Sequence, residues 1–235
     1  MPRSVLPLQN RLIELLPEKQ RNRLLKQCTT VNFEFGAVLG EANEPHQYAY
    51  FPISGFISLV TSVEDHPPLE MGLIGNEGML GTSLVLGINL APMQSIVQGS
   101  GIALRLPVPQ FEQELKRGPE MTVLLNRYIY TLMQQLTQAT TCIHYHPIEK
   151  RLARWLLMTH DRAHKNTFHL THFFLSHMLG VRRSGISLAA SALRKKFLID
   201  YTRGEITVLD RKGLEAESCR CYQTMTTTYE KIISG

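Results

Sequence analysis

Between residues 31 and 115 the chain has one cation, Arg105, set against nine acidic residues. A buried anion needs a positive side chain or a nest of backbone amides, so this stretch is poorly equipped to hold a phosphate. Long apolar runs are missing as well. No stretch of about 18 apolar residues occurs, which argues against a membrane-spanning helix, and the start Met-Pro-Arg-Ser lacks a signal-peptide core. A cytoplasmic location is therefore expected. Cysteine is scarce: Cys28, Cys142, Cys219 and Cys221 are too few and too scattered for a disulfide framework, in keeping with a reducing compartment. Catalytic signatures are lacking too. There is no Gly-x-Ser-x-Gly elbow, no Gly-x-x-x-x-Gly-Lys phosphate loop and no His-Glu-x-x-His, so no enzymatic activity is expected.

What remains is an ordinary globular composition, 43% apolar and 19% charged over 235 residues, enough for one large or two modest domains. Disorder and collagen-like repeats are excluded. The net charge of +5 conceals a split. Residues 1–148 hold 10 Lys+Arg against 12 Asp+Glu, and residues 149–235 hold 15 against 8. The basic excess belongs to the last third.

Leu6 to Gln27, interrupted by Pro17, predicts two short helices. From Phe33 to about Leu106, short apolar or alternating runs are broken by Gly, Pro and Asn. Tyr48–Val60 predicts two strands around a Pro52/Gly55 turn, and Glu70–Ile74 and Gly101–Leu106 predict more, as in a β sandwich or roll. Pro119 to Ile143 is one long periodic segment. Met121, Leu125, Tyr128, Leu132, Ala139 and Cys142 follow a 4-3-4 rhythm with Gln135 in the missing seam position, which predicts a dimerisation helix. A second stripe of Leu124, Ile129, Met133, Leu136 and Ile143 lies beside it, so one face can pack on the roll and the other on a symmetry mate. Burial of the whole helix in its own domain is the alternative.

Pro147 breaks the helix where the charge changes sign. Ile148–His160 predicts a helix with Leu152, Trp155, Leu156 and Thr159 inward, and with Arg151 and Arg154 in solvent. The most informative block runs from Leu170 to Ile199. Thr171 suits an N-cap, Phe174, Leu175, Met178 and Leu179 an apolar face, and Gly180 a left-handed stop. A second helix follows, with Ile186, Ala189, Ala190 and Leu193 inward and Arg182, Arg183, Ser184, Ser187, Ser191 and Arg194 outward. Helix, Gly turn and a second helix with a basic start is the helix-turn-helix layout. Asp200–Leu209 then predicts a hairpin turning at Arg203-Gly204, a wing. Arg203 suits a phosphate or the minor groove, and Lys195 and Lys196 suit the DNA backbone.

On these blocks the chain resembles the Crp-Fnr family of bacterial transcription regulators. The resemblance is carried by Tyr50-Phe-Pro-Ile-Ser-Gly-Phe56, Arg151-Leu-Ala-Arg-Trp-Leu156, Leu170–Ile199 and Gly204–Asp210. It implies an α+β chain: an antiparallel β roll with N-terminal helices over 1–117, a long dimerisation helix and hinge over 118–147, and a winged helix-turn-helix with a C-terminal tail over 148–235. It also implies a homodimer reading a pseudo-palindromic site on double-stranded DNA, acting with RNA polymerase and an unidentified effector. By that analogy Arg183, Ser184 and Leu188 fall where the catabolite activator reads bases with Arg, Glu and Arg. Only the first is kept, so a different operator is expected. The DNA-binding set is then Thr171, Arg182, Arg183, Ser184, Ser187, Lys195, Lys196 and Arg203.

The cyclic-nucleotide pattern that the resemblance implies is a Gly-Glu pair followed by Arg-Ser. Here Glu77-Gly78 is present, Gly81 precedes Thr82, and Ala91-Pro-Met-Gln94 stands where Arg-Ser belongs. If the roll takes an effector, Glu77, Gly78, Gly81 and Thr82 mark the loop, but cyclic nucleotide is not expected. An iron-sulfur cluster is not expected either, because Cys28 stands alone in its region and Cys142 lies on the long helix. Cys219-Arg-Cys221 has a one-residue gap that suits metal less well than two, and His144/His146, His160/His164 and His169/His172 read as surface pairs. No metal or other cofactor is expected. The readings kept open are a small-molecule or redox sensor acting through protein contacts, and a cyclic-nucleotide-responsive regulator.

Overall fold

A computed structural model describes residues 10–62, 64 and 66–233. Two compact units emerge: residues 1–58 with 74–130, and residues 59–73 with 131–235. These units cut across the boundaries read from the sequence, because the 59–73 hairpin belongs with the C-terminal part. No helix among the described residues is long and apolar enough to cross a membrane.

The first unit opens with α1 (Arg11–Glu14) and α2 (Glu18–Gln27), separated at Pro17 as expected; Leu6 lies outside the described residues. Asn10 caps α1 by accepting from the Ile13 N–H. Its amide donates to the carbonyls of Pro52 and Gly78, both at 2.9 Å. The antiparallel sheet contains β1 (Thr29–Phe33), β2 (Val38–Gly40), β3 (Tyr48–Thr61), β4 (Leu69–Ile74) and β5 (Gln94–Pro107), in the order β1-β5-β3-β4 with β2 also on β5. One expectation fails here. Tyr48–Thr61 is a single 14-residue strand, not two strands around a turn. Gly55 bends within the strand at φ +75°, where a Cβ would lie 2.2 Å from the Gly99 carbonyl oxygen, so the glycine serves close strand approach. Pro107 then starts α3 (Val108–Arg117). Its fully buried Glu114 is met by Arg23 at 2.6 Å and Gln27 at 2.9 Å from α2, which satisfies a carboxylate that burial would otherwise penalise.

α4 (Pro119–Tyr145) runs for 27 residues, and Pro119 occupies its first turn. The proposed dimer stripe is corrected by burial. Met121, Leu125, Tyr128, Leu132, Ala139 and Cys142 are all buried within the chain itself. Tyr128 lies on Gly78, where any Cβ would strike its hydroxyl. Gln135, the polar member of the stripe, is spent on strand β4: its side-chain carbonyl accepts from the Leu73 N–H at 2.8 Å and its amide donates to the Leu73 carbonyl at 3.2 Å. An edge strand is thereby given the partner it lacks. The face left outward carries Val123, Tyr130 and Met133, the last 59% exposed.

The second unit continues with α5 (Ile148–Ala163), β6 (Thr167–His169), α6 (His172–Met178), α7 (Arg183–Lys195), the hairpin β7 (Ile199–Thr202) and β8 (Glu205–Val208), α8 (Arg211–Glu217) and α9 (Arg220–Ile233). β6 joins the hairpin in the order β6-β8-β7. Trp155 is core, as read. Arg151 and Arg154 are not in solvent, being 5% and 6% exposed. Their stems fill the packed face of α5, while the Arg151 guanidinium donates to the Leu179 carbonyl and Arg154 reaches Met158 Sδ at 3.4 Å. The segment read as a tail is helical. Arg211 bridges α8 to α5 through Asp161 at 2.7 Å and to α9 through the Tyr222 hydroxyl at 2.7 Å.

Candidate nucleic-acid interface

Thr171 caps α6 by accepting from the Phe174 N–H at 3.1 Å. At the other end Gly180 takes φ +60°, with Gly180 N–H donating to the His177 carbonyl and Val181 N–H to the Ser176 carbonyl. That pair of bonds is a Schellman closure, and it fixes the angle at which α7 departs. α7 buries Ile186, Ala189, Ala190 and Leu193 and exposes Arg182, Arg183, Ser184, Leu188, Ser191 and Lys195. Residues 184, 188 and 191 share one face by helical spacing. Leu188 is 73% exposed on it, a large apolar side chain in water with no fold-building task. Ser187 is half-buried and donates to the Arg183 carbonyl at 3.1 Å.

The wing turns where predicted. Thr202 pairs with Glu205, leaving Arg203 and Gly204 as a two-residue loop with φ +50° and +86°. Arg203 thus holds a left-handed backbone at the exposed tip. One residue that the sequence analysis read as half of a surface pair ties the pieces together. His172, at the start of α6, hydrogen-bonds Ser187 of α7 at 2.9 Å and stacks on Tyr201 of the wing at 4.1 Å. Burial, with the Arg183 charge adding to it, holds the His172 pKa below the ordinary imidazole value. Nothing in the local pattern distinguishes this histidine, since its partners lie 15 and 29 residues away.

These features define a helix-turn-helix with a wing, and a family model for such domains matches residues 150–217. The region is a Crp-like helix-turn-helix domain. No curated protein sequence matches the chain significantly. Among solved structures, FixK2 from Bradyrhizobium japonicum is similar at a TM-score of 0.69 and 13% identity, covering 82% of this chain and 98% of that one. The c-di-GMP-responsive regulator CLP of Xanthomonas campestris aligns at 0.66 and 12%, over 82% and 99%. A transcriptional regulator of the CRP family from Thermus thermophilus aligns at 0.63 and 16%, over 80% and 96%. The chain has the fold of Crp/Fnr-type DNA-binding regulators, mixed α and β with a cyclic-nucleotide-binding-like roll.

Within the Crp-like domain one expected DNA contact already has partners in the protein. Lys196 donates to Glu149 and Glu217, each at 2.9 Å, and these carboxylates raise its pKa, Glu217 first. It links α5, α7 and α8 at the surface, its charge shared with two carboxylates. Arg194 is likewise paired with Asp200 at 2.9 Å. Arg182, Arg183, Lys195 and Arg203 are exposed, as the reading placed them.

In the roll, Arg105 donates to Thr29 Oγ1 at 3.1 Å and its guanidinium lies 4.5 Å from the centre of the Tyr48 ring. The loop read as an effector site begins with Glu77 accepting from the Gly75 N–H at 3.1 Å. Gly81 then takes φ +99° ahead of a 3-10 turn over Thr82–Leu86. Leu86 at the end of that turn and Ile88 and Leu90 beyond it are exposed.

Proposed function

We propose that this chain is a homodimeric, sequence-specific transcription regulator that reads a two-fold pseudo-palindromic operator and acts by binding, not by catalysis. The observation that carries the reading is α7 itself: a buried small-residue face, and an outer face on which Arg183, Ser184 and Leu188 have no structural task. In the major groove Arg183 suits guanine O6 and N7, and Leu188 suits a thymine methyl. Arg182, Lys195 and Arg203 would meet phosphates. The partner copy would lie against α4 through Ile129, Tyr130, Met133 and Leu136, setting two reading heads about 34 Å apart, one DNA turn.

The roll is read as not holding a cyclic nucleotide. Its lone cation is engaged with Tyr48 and Thr29, and the loop supplies leucine and isoleucine where an anion needs donors. An effector, if one is used, must bind one arrangement of the dimer better than another to shift it. RNA polymerase is the expected protein partner, and the compartment is the one that holds the DNA.

Selection of bound sequences from a random duplex pool at physiological salt tests the reading. Two inverted half-sites are expected. Equal affinity for selected and random duplex would overturn it.

A further inference from the structure

The reading head leaves four chemically reactive side chains unexplained, and all four meet in the second unit. Cys142 lies in the last turn of α4, and His146 follows it by four residues, just past the helix end, so both face one side. Cys219 immediately precedes α9, and Cys221 is that helix's second residue. The one-residue gap works because it straddles a helix start. The three sulfurs and a ring nitrogen of His146 all lie within 4.8 Å of one another. Cys142 Sγ is 3.4 Å from Cys219 Sγ, and Cys221 Sγ is 3.5 Å from His146 Nδ1.

We propose that Cys142, His146, Cys219 and Cys221 bind one Zn2+ ion in a closed, four-coordinate site. A tetrahedral ion with bonds of about 2.3 Å to sulfur and about 2.0–2.1 Å to nitrogen sets two sulfurs about 3.8 Å apart and a sulfur and a nitrogen about 3.5 Å apart. The Cys221–His146 pair has that spacing, and the Cys142–Cys219 pair at 3.4 Å has to open by a few tenths of an ångström to admit the ion. A thiolate-rich tetrahedral set favours zinc over magnesium or calcium, and a multi-iron cluster would hold its sulfurs farther apart. With four protein ligands no position is left for substrate, so the ion is structural.

Plain thiol packing explains less. Buried cysteines often act as small hydrophobes, but an apolar cluster gains nothing from the His146 ring nitrogen or from the Gln138 amide, which donates to Cys221 Sγ at 3.0 Å. Donors aimed at sulfur suit a thiolate, and outer-shell donors of this kind orient metal ligands. A Cys142–Cys219 disulfide would leave Cys221 and His146 unaccounted for. Charge points the same way: three thiolates and a neutral imidazole around Zn2+ leave one negative charge. The buried guanidinium groups of Arg151 and Arg154 both act electrostatically on Cys142 and Cys219, and the Nε atom of each has no hydrogen-bond partner. The ion would join the end of α4 to the start of α9 across 77 residues, so metal binding would contribute to folding of the whole Crp-like domain.

The test uses the reduced full-length protein, with metal analysis as purified from zinc-supplemented cells and Co2+ titration after chelator stripping. One zinc per chain is expected. Cobalt should give tetrahedral ligand-field bands with thiolate charge transfer, kept in Cys28→Ser and lost in the Cys219→Ser/Cys221→Ser double variant. His146→Ala, which keeps all three sulfurs, should shift the bands and weaken binding by about 100-fold or more. Gln138→Leu should weaken it about 10-fold, the scale of outer-shell partners. Clearly substoichiometric zinc with no thiolate charge transfer, a cobalt spectrum unchanged in His146→Ala, or a Cys142–Cys219 disulfide in protein made in a reducing cytosol would each overturn the proposal. DNA binding is not the readout, so failure here leaves the operator reading standing.

Discussion

Trp155 donates its indole N–H to the Glu70 carboxylate at 2.7 Å, and both side chains are buried. One comes from α5 and the other from β4, 85 residues apart in sequence. This charge-assisted bond ties β4 to α5 within the second unit. Trp155→Phe removes the donor and leaves a cavity where the larger indole packed against Phe174. In urea unfolding, bond and cavity together are expected to cost more than a hydrogen bond to a charged group alone, about 1.5–3 kcal/mol; a loss within error would mean the bond contributes nothing.

Arg183→Ala is expected to relax preference at one position per half-site, by about 1–3 kcal/mol of discrimination. Leu188→Ala should act at a neighbouring, thymine-containing position and leave the salt dependence of binding unchanged. Competition titrations against point-substituted operators separate the two.

Lys195 and Lys196 are adjacent and should behave differently. Lys195→Ala removes an exposed cation and should lower the slope of log affinity against log salt by about 0.9 if it meets a phosphate. Lys196→Ala should leave that slope unchanged, because Glu149 and Glu217 already neutralise it. Reduced thermal stability is its expected effect.

His172 has a folded-state pKa below the ordinary 6.5. The unfolded chain then binds the proton more readily, so the stability tied to neutral His172 is complete above about pH 6.5 and is lost as pH falls through the lowered value. His172→Gln should flatten the part of the acid limb of the melting curve that this residue contributes. An identical pH profile in wild type and variant would show that the stacking on Tyr201 is indifferent to charge.

Met133→Glu places a charge on the outward face of α4. Sedimentation should show a shift from dimer to monomer with the far-ultraviolet spectrum retained. If the variant stays dimeric, the partner sits elsewhere.

Much of this architecture was legible in local sequence. Thr171, Gly180 and Arg203-Gly204 mark a cap, a stop and a turn whose backbone demands are satisfied within a few residues, and the structure keeps all three. Periodicity also located α4, but not its facing. A 4-3-4 stripe says that a surface is buried without saying by what, and Gln135, read as the blemish in a dimer seam, is the residue that pairs with Leu73. Arg151 and Arg154 misled for a related reason, since helical spacing set them off the face of Leu152 and Trp155 while residues 151–159 of α5 are buried all round. His172, Glu70 and the gathering of Cys142 with Cys219 depend on contacts across 15 to 85 residues. No window along the chain contains both halves of such a relationship.

The amide of Gln135 makes both hydrogen bonds that a neighbouring strand would make to Leu73. A helix that grips a strand through two opposed bonds from one side chain cannot creep along it: one residue of sliding breaks both at once. The second strand of the hairpin and the lower half of the long helix are therefore held in register at Leu73.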